Sequence, residues 1–187
     1  MNSRLTLGGN ISGLVSACHF EKEGTLQALI HQLKYSEMTG IGIELGKKLG
    51  ENLRPFLGDV LLTAIIPVAL HPAKKRERGY NQAEFIAQGM HKVTRIPVLP
   101  SLLKRNKNTR TQTKLNLEER QANVSEAFGI PRRHLSLIKG SSFVLVDDVI
   151  TTGATIQECA QVLKSHGAKD VYAASVALAD HAIVGLI

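Results

Sequence analysis

Two acids stand side by side at Asp147-Asp148, followed closely by Thr151, Thr152, Gly153, Ala154 and Thr155. These types at this spacing suit an anion held next to a polyol. Threonine hydroxyls donate hydrogen bonds, and a glycine lets the backbone come close. The first N–H groups of a helix are unpaired and carry partial positive charge, so an anion settles there. Adjacent carboxylates would repel a phosphate directly. They accept well from sugar hydroxyls a few ångströms away, with a cation nearby if one is required. A sugar phosphate therefore fits the stretch, whereas a plain strand-to-helix turn needs only one capping side chain.

The flanking residues say what must position this loop. Phe143 to Val146 is an unbroken apolar run, as expected of a strand buried on both faces of a parallel sheet. Ile156, Cys159, Ala160 and Leu163 fall on one face of a following helix, and Gly167 is a natural stop. Val60 to Val68 predicts a second central strand, with Pro67 at or just past its last ladder bond. A loop over 69–82 follows, and Asn81 can cap the next helix, in which Ala83, Ile86, Gln88 to Met90 and Val93 continue the pattern. Both loops thus leave the carboxyl end of a strand, where ligands bind in open parallel sheets.

The remaining elements read as follows. Leu14 to Phe20 predicts a strand, and a helix follows from Thr25 with Leu26, Leu29, Ile30 and Leu33 on one face. Thr39 to about Leu53 predicts a second helix in which Gly42, Gly46 and Gly50 recur every four residues, with Pro55 ending it. Each glycine costs about 1 kcal/mol against alanine inside a helix, so a close-packed face is the expected reason. A short strand is expected within 97–103, an edge strand at Glu126 to Ile130, a basic connector at Pro131 to Gly140 and a strand at Asp170 to Ala177. The alternation predicts a doubly wound α/β sheet. Residues 1–13 are expected to be a flexible start and residues 14–187 a single domain.

The run Val144-Leu145-Val146-Asp147-Asp148-Val149-Ile150-Thr151-Thr152-Gly153-Ala154-Thr155 resembles the signature of type I phosphoribosyltransferases, which bind phosphoribosyl pyrophosphate. The resemblance implies that fold, with a mainly parallel central sheet flanked by helices and a small N-terminal or hood element. It also implies that Asp147 and Asp148 hold the ribose hydroxyls, while Thr151, Thr152, Gly153, Ala154 and Thr155 cradle the 5′-phosphate. Pro67-Val68-Ala69-Leu70-His71-Pro72, with Arg76-Glu77-Arg78-Gly79-Tyr80-Asn81-Gln82, resembles the ComF/GntX branch of that family. This implies a pyrophosphate loop from Leu70 to Lys74, with His71 and Lys74 among its binding residues, and the nearby cations Arg76 and Arg78 suit the same anion. His71 before Pro72 could equally serve only to fix a turn.

Residues 104–115 are polar, basic and aperiodic, so a mobile loop is expected. Arg105, Thr111, Gln112, Leu115, Arg120, Asn123, Val124, Ala127 and Phe128 resemble a further pattern of the same branch. The loop is accordingly expected to close as a lid, with Arg105, Thr111 and Gln112 as catalytic residues. Water must be excluded while pyrophosphate leaves, or the donor hydrolyses. Magnesium is the implied cofactor, bridging substrate oxygens with Asp147 and Asp148 as candidate ligands.

Composition limits the alternatives. No apolar run approaches the roughly 20 residues of a membrane span, and no signal peptide is evident, so a cytoplasmic protein is expected. Cys18 and Cys159 lie far apart, without a disulfide framework or zinc spacing. The four-cysteine zinc ribbon that many ComF/GntX members carry at the N-terminus is therefore not expected. Members of this branch are often labelled amidophosphoribosyltransferase, but Met1-Asn2 offers no N-terminal cysteine for glutamine-dependent chemistry. The net charge of +7 and pI of about 9.6 suit either a polyanionic small molecule or a nucleic acid. Aromatics are only 4%, so a stacking platform for single strands is not evident.

Three functions stay open: phosphoribosyl transfer to a nitrogen acceptor, handling of single-stranded DNA in competence as the ComF resemblance implies, and sensing of phosphoribosyl pyrophosphate without turnover. A homodimer is compatible with each.

Overall fold

The computed structural model describes residues 9–20, 32–33, 39–105 and 127–179. Four strands form one parallel sheet in the order β1-β6-β5-β2, with β1 at Gly13–Phe20, β2 at Ala64–Pro67, β5 at Ser142–Ile150 and β6 at Asp170–Ala179. A separate antiparallel pair joins β3, Lys104–Arg105, to β4, Phe128–Gly129. The helices are α1 at Thr39–Leu57, α2 at Pro72–Arg78, α3 at Gln82–Thr94, a short α4 at Leu135–Ile138 and α5 at Ala154–Ser165. Among the described residues, no helix is long and apolar enough to cross a membrane.

Strand β5 divides the core in two. Phe143 and Leu145 face one cluster, which contains Ile156, Cys159 and Leu163 of α5. Val144 and Val146 face another, which contains Leu49 and Leu53 of α1 with Ile86 and Met90 of α3. All four β5 residues are fully buried, as the continuous apolar run predicts for a strand covered on both faces.

The glycines of α1 set how closely α1 and α3 approach. A Cβ at Gly46 would collide with the Ile86 carbonyl oxygen, and one at Gly89 with the Ile43 carbonyl oxygen. The two backbones therefore touch, which the four-residue glycine spacing anticipates.

Several boundaries differ from expectation. Pro55 does not end α1, which continues to Leu57. A proline in the last turn forfeits one N–H contact with little helix left to disrupt, and Gly58 at φ 57° follows. The strand expected over Val60 to Val68 has its ladder at Ala64–Pro67, with one flanking backbone bond to β5 from Thr63 and one from Val68, and Leu61 is 89% exposed. Apolar composition alone did not mark where the ladder begins. Within 97–103 a single parallel bridge, Ile65 to Val98, replaces the expected strand. Part of the expected loop 69–82 is the helix α2. Asp170 opens β6, which runs on to Ala179.

Residues 1–8 lie outside the described residues. Ser12, in the segment expected to be flexible, donates its N–H to the Val171 carbonyl at 2.7 Å, and Gly13 already belongs to β1. The helix expected from Thr25 falls outside the described residues except for Gln32 and Leu33, which are helical.

The glycine contact gives a paired prediction. Gly46→Ala should destabilise by about 3 kcal/mol, because a rigid backbone carbonyl must give way. Gly40→Ala, where nothing lies within 4 Å, should be neutral or stabilising by up to about 1 kcal/mol. Urea midpoints at unchanged slope check both; equal effects at the two positions would contradict the close approach.

Candidate phosphoribosyl pyrophosphate site

The site is assembled at the adjacent carboxyl ends of β2 and β5. Pro67 is in register with Val146, and the next N–H, that of Val68, donates to the Val146 carbonyl at 2.9 Å. The acid pair, still within β5, therefore lies beside the point where the basic segment leaves β2.

Local chemistry explains α2. Pro72 occupies the first turn, where its missing N–H costs nothing and its φ is already helical. His71 caps the helix, its Nδ1 accepting the Ala73 N–H at 3.2 Å, and Gly79 ends it at φ 79°. His71 thus has a turn-fixing role in this structure. Lys74 and Arg76 are exposed on this helix, and Lys75 pairs with Glu84 at 3.0 Å. Leu70 is half-buried at the loop's start.

The segment after α2 is tied down in three places. The Tyr80 hydroxyl donates to the Leu33 carbonyl at 2.5 Å, and its ring meets Phe85 edge-on at 5.7 Å between centroids. Asn81 Oδ1 accepts the Ala83 N–H at 3.2 Å, capping α3 as expected, while its Nδ2 donates to the Val68 carbonyl at 3.0 Å. Gln82 Nε2 donates to Asp148 Oδ2 at 3.2 Å, and Arg78 Nη1 donates to Gln82 Oε1 at 3.3 Å.

The two acids face opposite sides of the sheet. Asp148 is 5% exposed on the α3 side, and its Oδ1 also accepts the Val149 N–H at 2.8 Å. Asp147 is half-buried on the α5 side and accepts the Asp148 N–H at 2.9 Å. With residues 149–156 it lines a cavity of about 50 Å³. Gly153 holds φ 74° at the start of α5, a left-handed conformation that favours glycine, and Thr152 Oγ1 accepts the Ala154 N–H at 3.4 Å. Thr151 and Thr152 are exposed around it, Ala154 opens the helix, and Thr155 is half-buried in its first turn. A larger depression of about 490 Å³ lies at the other end of the sheet, beside Ser142 and Asp170 at the amino ends of β5 and β6.

Arg105, on β3, lies 5.3 Å from the ring centroid of Phe128 on β4. Burial raises the Glu158 carboxyl above its ordinary value, and the Arg105 charge partly offsets this. Burial also pushes the Cys159 thiol well above the ordinary range, with the negative charges of Asp147 and Glu158 adding to it. Cys159 is therefore an inert core thiol rather than a nucleophile. Thr111, Gln112 and the rest of the expected lid beyond Arg105 lie outside the described residues. Sequence reasoning gave Gln82 no site role, although Asn81-Gln82 stood in the quoted motif; its partner is 66 residues away.

The phosphoribosyl transferase domain family matches residues 78–183, more than half of the chain. The chain belongs to that family. It is 36% identical over 115 residues to competence protein F of Haemophilus influenzae, covering 58% of this chain and 47% of that relative. It is 34% identical over 149 residues to the DNA utilization protein YhgH of Escherichia coli, covering 78% of this chain and 64% of the relative. Competence protein ComFC of Bacillus subtilis is 29% identical over 103 residues, covering 55% of this chain and 39% of that protein. The ComF resemblance is thereby borne out, while the chain spans only about half to two thirds of the first two relatives. Among solved structures, an adenine phosphoribosyltransferase aligns at TM-score 0.51 and 14% identity, over 83% of this chain and 78% of that one. The allosteric regulatory enzyme of purine biosynthesis aligns at 0.52 and 20% identity, over 78% of this chain and 29% of that one. The fold is that of the phosphoribosyltransferases.

The Glu158 shift has a signed consequence. A carboxyl raised in the folded state contributes stability that is full below its ordinary 4.5 and is lost as pH rises through the raised value. Glu158→Gln should therefore gain stability relative to the wild type as pH rises across that range. Urea unfolding at graded pH checks this, and a parallel pH course for the two proteins would contradict it.

Proposed function

We propose that this site binds phosphoribosyl pyrophosphate and transfers its phosphoribosyl group to a nitrogen acceptor. The observation that carries the reading is that the segment after β2 lies beside the acid pair of β5, joined to that strand by Val68 to Val146 and by Gln82 to Asp148. The N–H groups at the start of α5 and the hydroxyls of Thr151, Thr152 and Thr155 suit the 5′-phosphate. Asp147 and Asp148 suit the ribose hydroxyls. Lys74, Arg76 and Arg78 suit the leaving pyrophosphate, whose growing negative charge they stabilise.

Magnesium fits this donor set. Among the described residues, no group of three or more histidine, cysteine or acidic side chains could cage a metal. Mg²⁺ prefers one or two carboxylates plus substrate phosphates; Asp147, half-buried beside the start of α5, would supply one, whereas Asp148 faces the other side of the sheet. The ion would neutralise pyrophosphate charge when bound. The chain's own residues orient the donor and hold its two ends apart, so that the acceptor meets the sugar carbon in a fixed geometry.

A second reading, handling of single-stranded DNA, is favoured by the similarity to a competence protein and a DNA utilization protein and by the exposed cations of α2. It requires DNA affinity that falls steeply with salt as counterions are released.

Titration calorimetry with phosphoribosyl pyrophosphate and Mg²⁺ tests the first reading. The wild type should bind, and the Asp147→Asn, Asp148→Asn double variant should remain folded and bind about 100-fold more weakly, on the scale of two lost hydrogen bonds to charged groups. Equal affinity in the two proteins would remove the acid pair from the site.

A further inference from the structure

We propose that Gln82 is a positioning residue that sets the spacing between the pyrophosphate side and the ribose side of the site. The inference rests on the phosphoribosyl pyrophosphate reading above.

Gln82 is 3% exposed and sits at the start of α3, in the turn that Asn81 caps and ties to Val68. Its amide lies between a cation and an anion. Oε1 accepts from Arg78 Nη1 at 3.3 Å, and Nε2 donates to Asp148 Oδ2 at 3.2 Å. The neighbours fix this orientation. Turning the amide over would set its NH₂ against a guanidinium that only donates and its oxygen against a carboxylate that only accepts. Burial strengthens both contacts and makes either one costly to lose.

The consequence is geometric. Asp148 takes the Val149 N–H on Oδ1 and the Gln82 amide on Oδ2, so its carboxylate has one orientation. Arg78, the last residue of α2, is held by the same side chain. The neutral amide thereby relates a cation assigned to pyrophosphate to an acid assigned to the sugar hydroxyls. Gln82 itself contributes no charge to the ligand and acts through these two residues.

A change of donor for acceptor tests the pairing. Gln82→Glu sets a second carboxylate against Asp148, and affinity for phosphoribosyl pyrophosphate with Mg²⁺ should fall by about 10-fold or more. Asp148→Asn alone should also weaken binding. Combined, they restore a hydrogen bond with its direction reversed, so adding Asp148→Asn to Gln82→Glu should raise affinity. Removal of an assigned ribose acid improves binding only if the two side chains act as a pair. Gln82→Met, which keeps the length without either hydrogen bond, gives a second cycle, in which its loss should vanish once Asp148 is asparagine. Calorimetry and melting temperatures are read for every variant. Losses that multiply in both cycles, with the wild type binding, would overturn the role of Gln82 and leave the site reading standing. A folded wild type that does not bind would overturn the reading and this inference with it.

Discussion

The site depends on one backbone register. Strand β2 is only four residues long and ends in Pro67, which has no N–H to offer. The pairing with β5 nevertheless continues for one further step, because the Val68 N–H reaches the Val146 carbonyl. That bond makes the segments starting at Val68 and Asp147 neighbours. A shift of one residue would turn the acid pair over, exchanging the faces of Asp147 and Asp148. Everything the site can do follows from which acid meets α3 and which meets α5.

The packing on each face then supplies the remaining groups. On one side, the glycine contact lets α1 and α3 pack backbone to backbone while Ile86 and Met90 of α3 fill the core beneath Val144 and Val146. This brings the start of α3, with Asn81 and Gln82, to the strand ends. On the other side, Ile156 and Leu163 hold α5 against Phe143 and Leu145, so its N-terminus opens beside Asp147. Glu158 and Cys159 of the same helix feel the charge of Arg105, which lies against Phe128 of β4.

How legible an element was depended on how local its cause is. Strand β5 and helix α5 were readable because a strand covered on both faces needs a continuous apolar run, and a helix on it needs a 3.6-residue stripe. Asn81 was readable as a cap because capping is decided within three residues. Helix α2 was hidden, since it carries no apolar stripe and is held only by the cap at His71, Pro72 and the left-handed Gly79. Strand β2 was read too long, because Val60 to Leu62 are apolar yet precede the ladder. The bond between Gln82 and Asp148 was not legible at all: two polar residues 66 positions apart leave no periodic trace.

The central claim is that the ends of β2 and β5 form one site spanning the whole donor. A crystal structure with phosphoribosyl pyrophosphate and Mg²⁺ tests it most directly. The account predicts the 5′-phosphate on the N–H groups at residues 153–156 and the pyrophosphate against α2, with the Gln82 to Asp148 bond intact. A donor bound elsewhere, or bound here with α2 making no contact to it, would contradict the account.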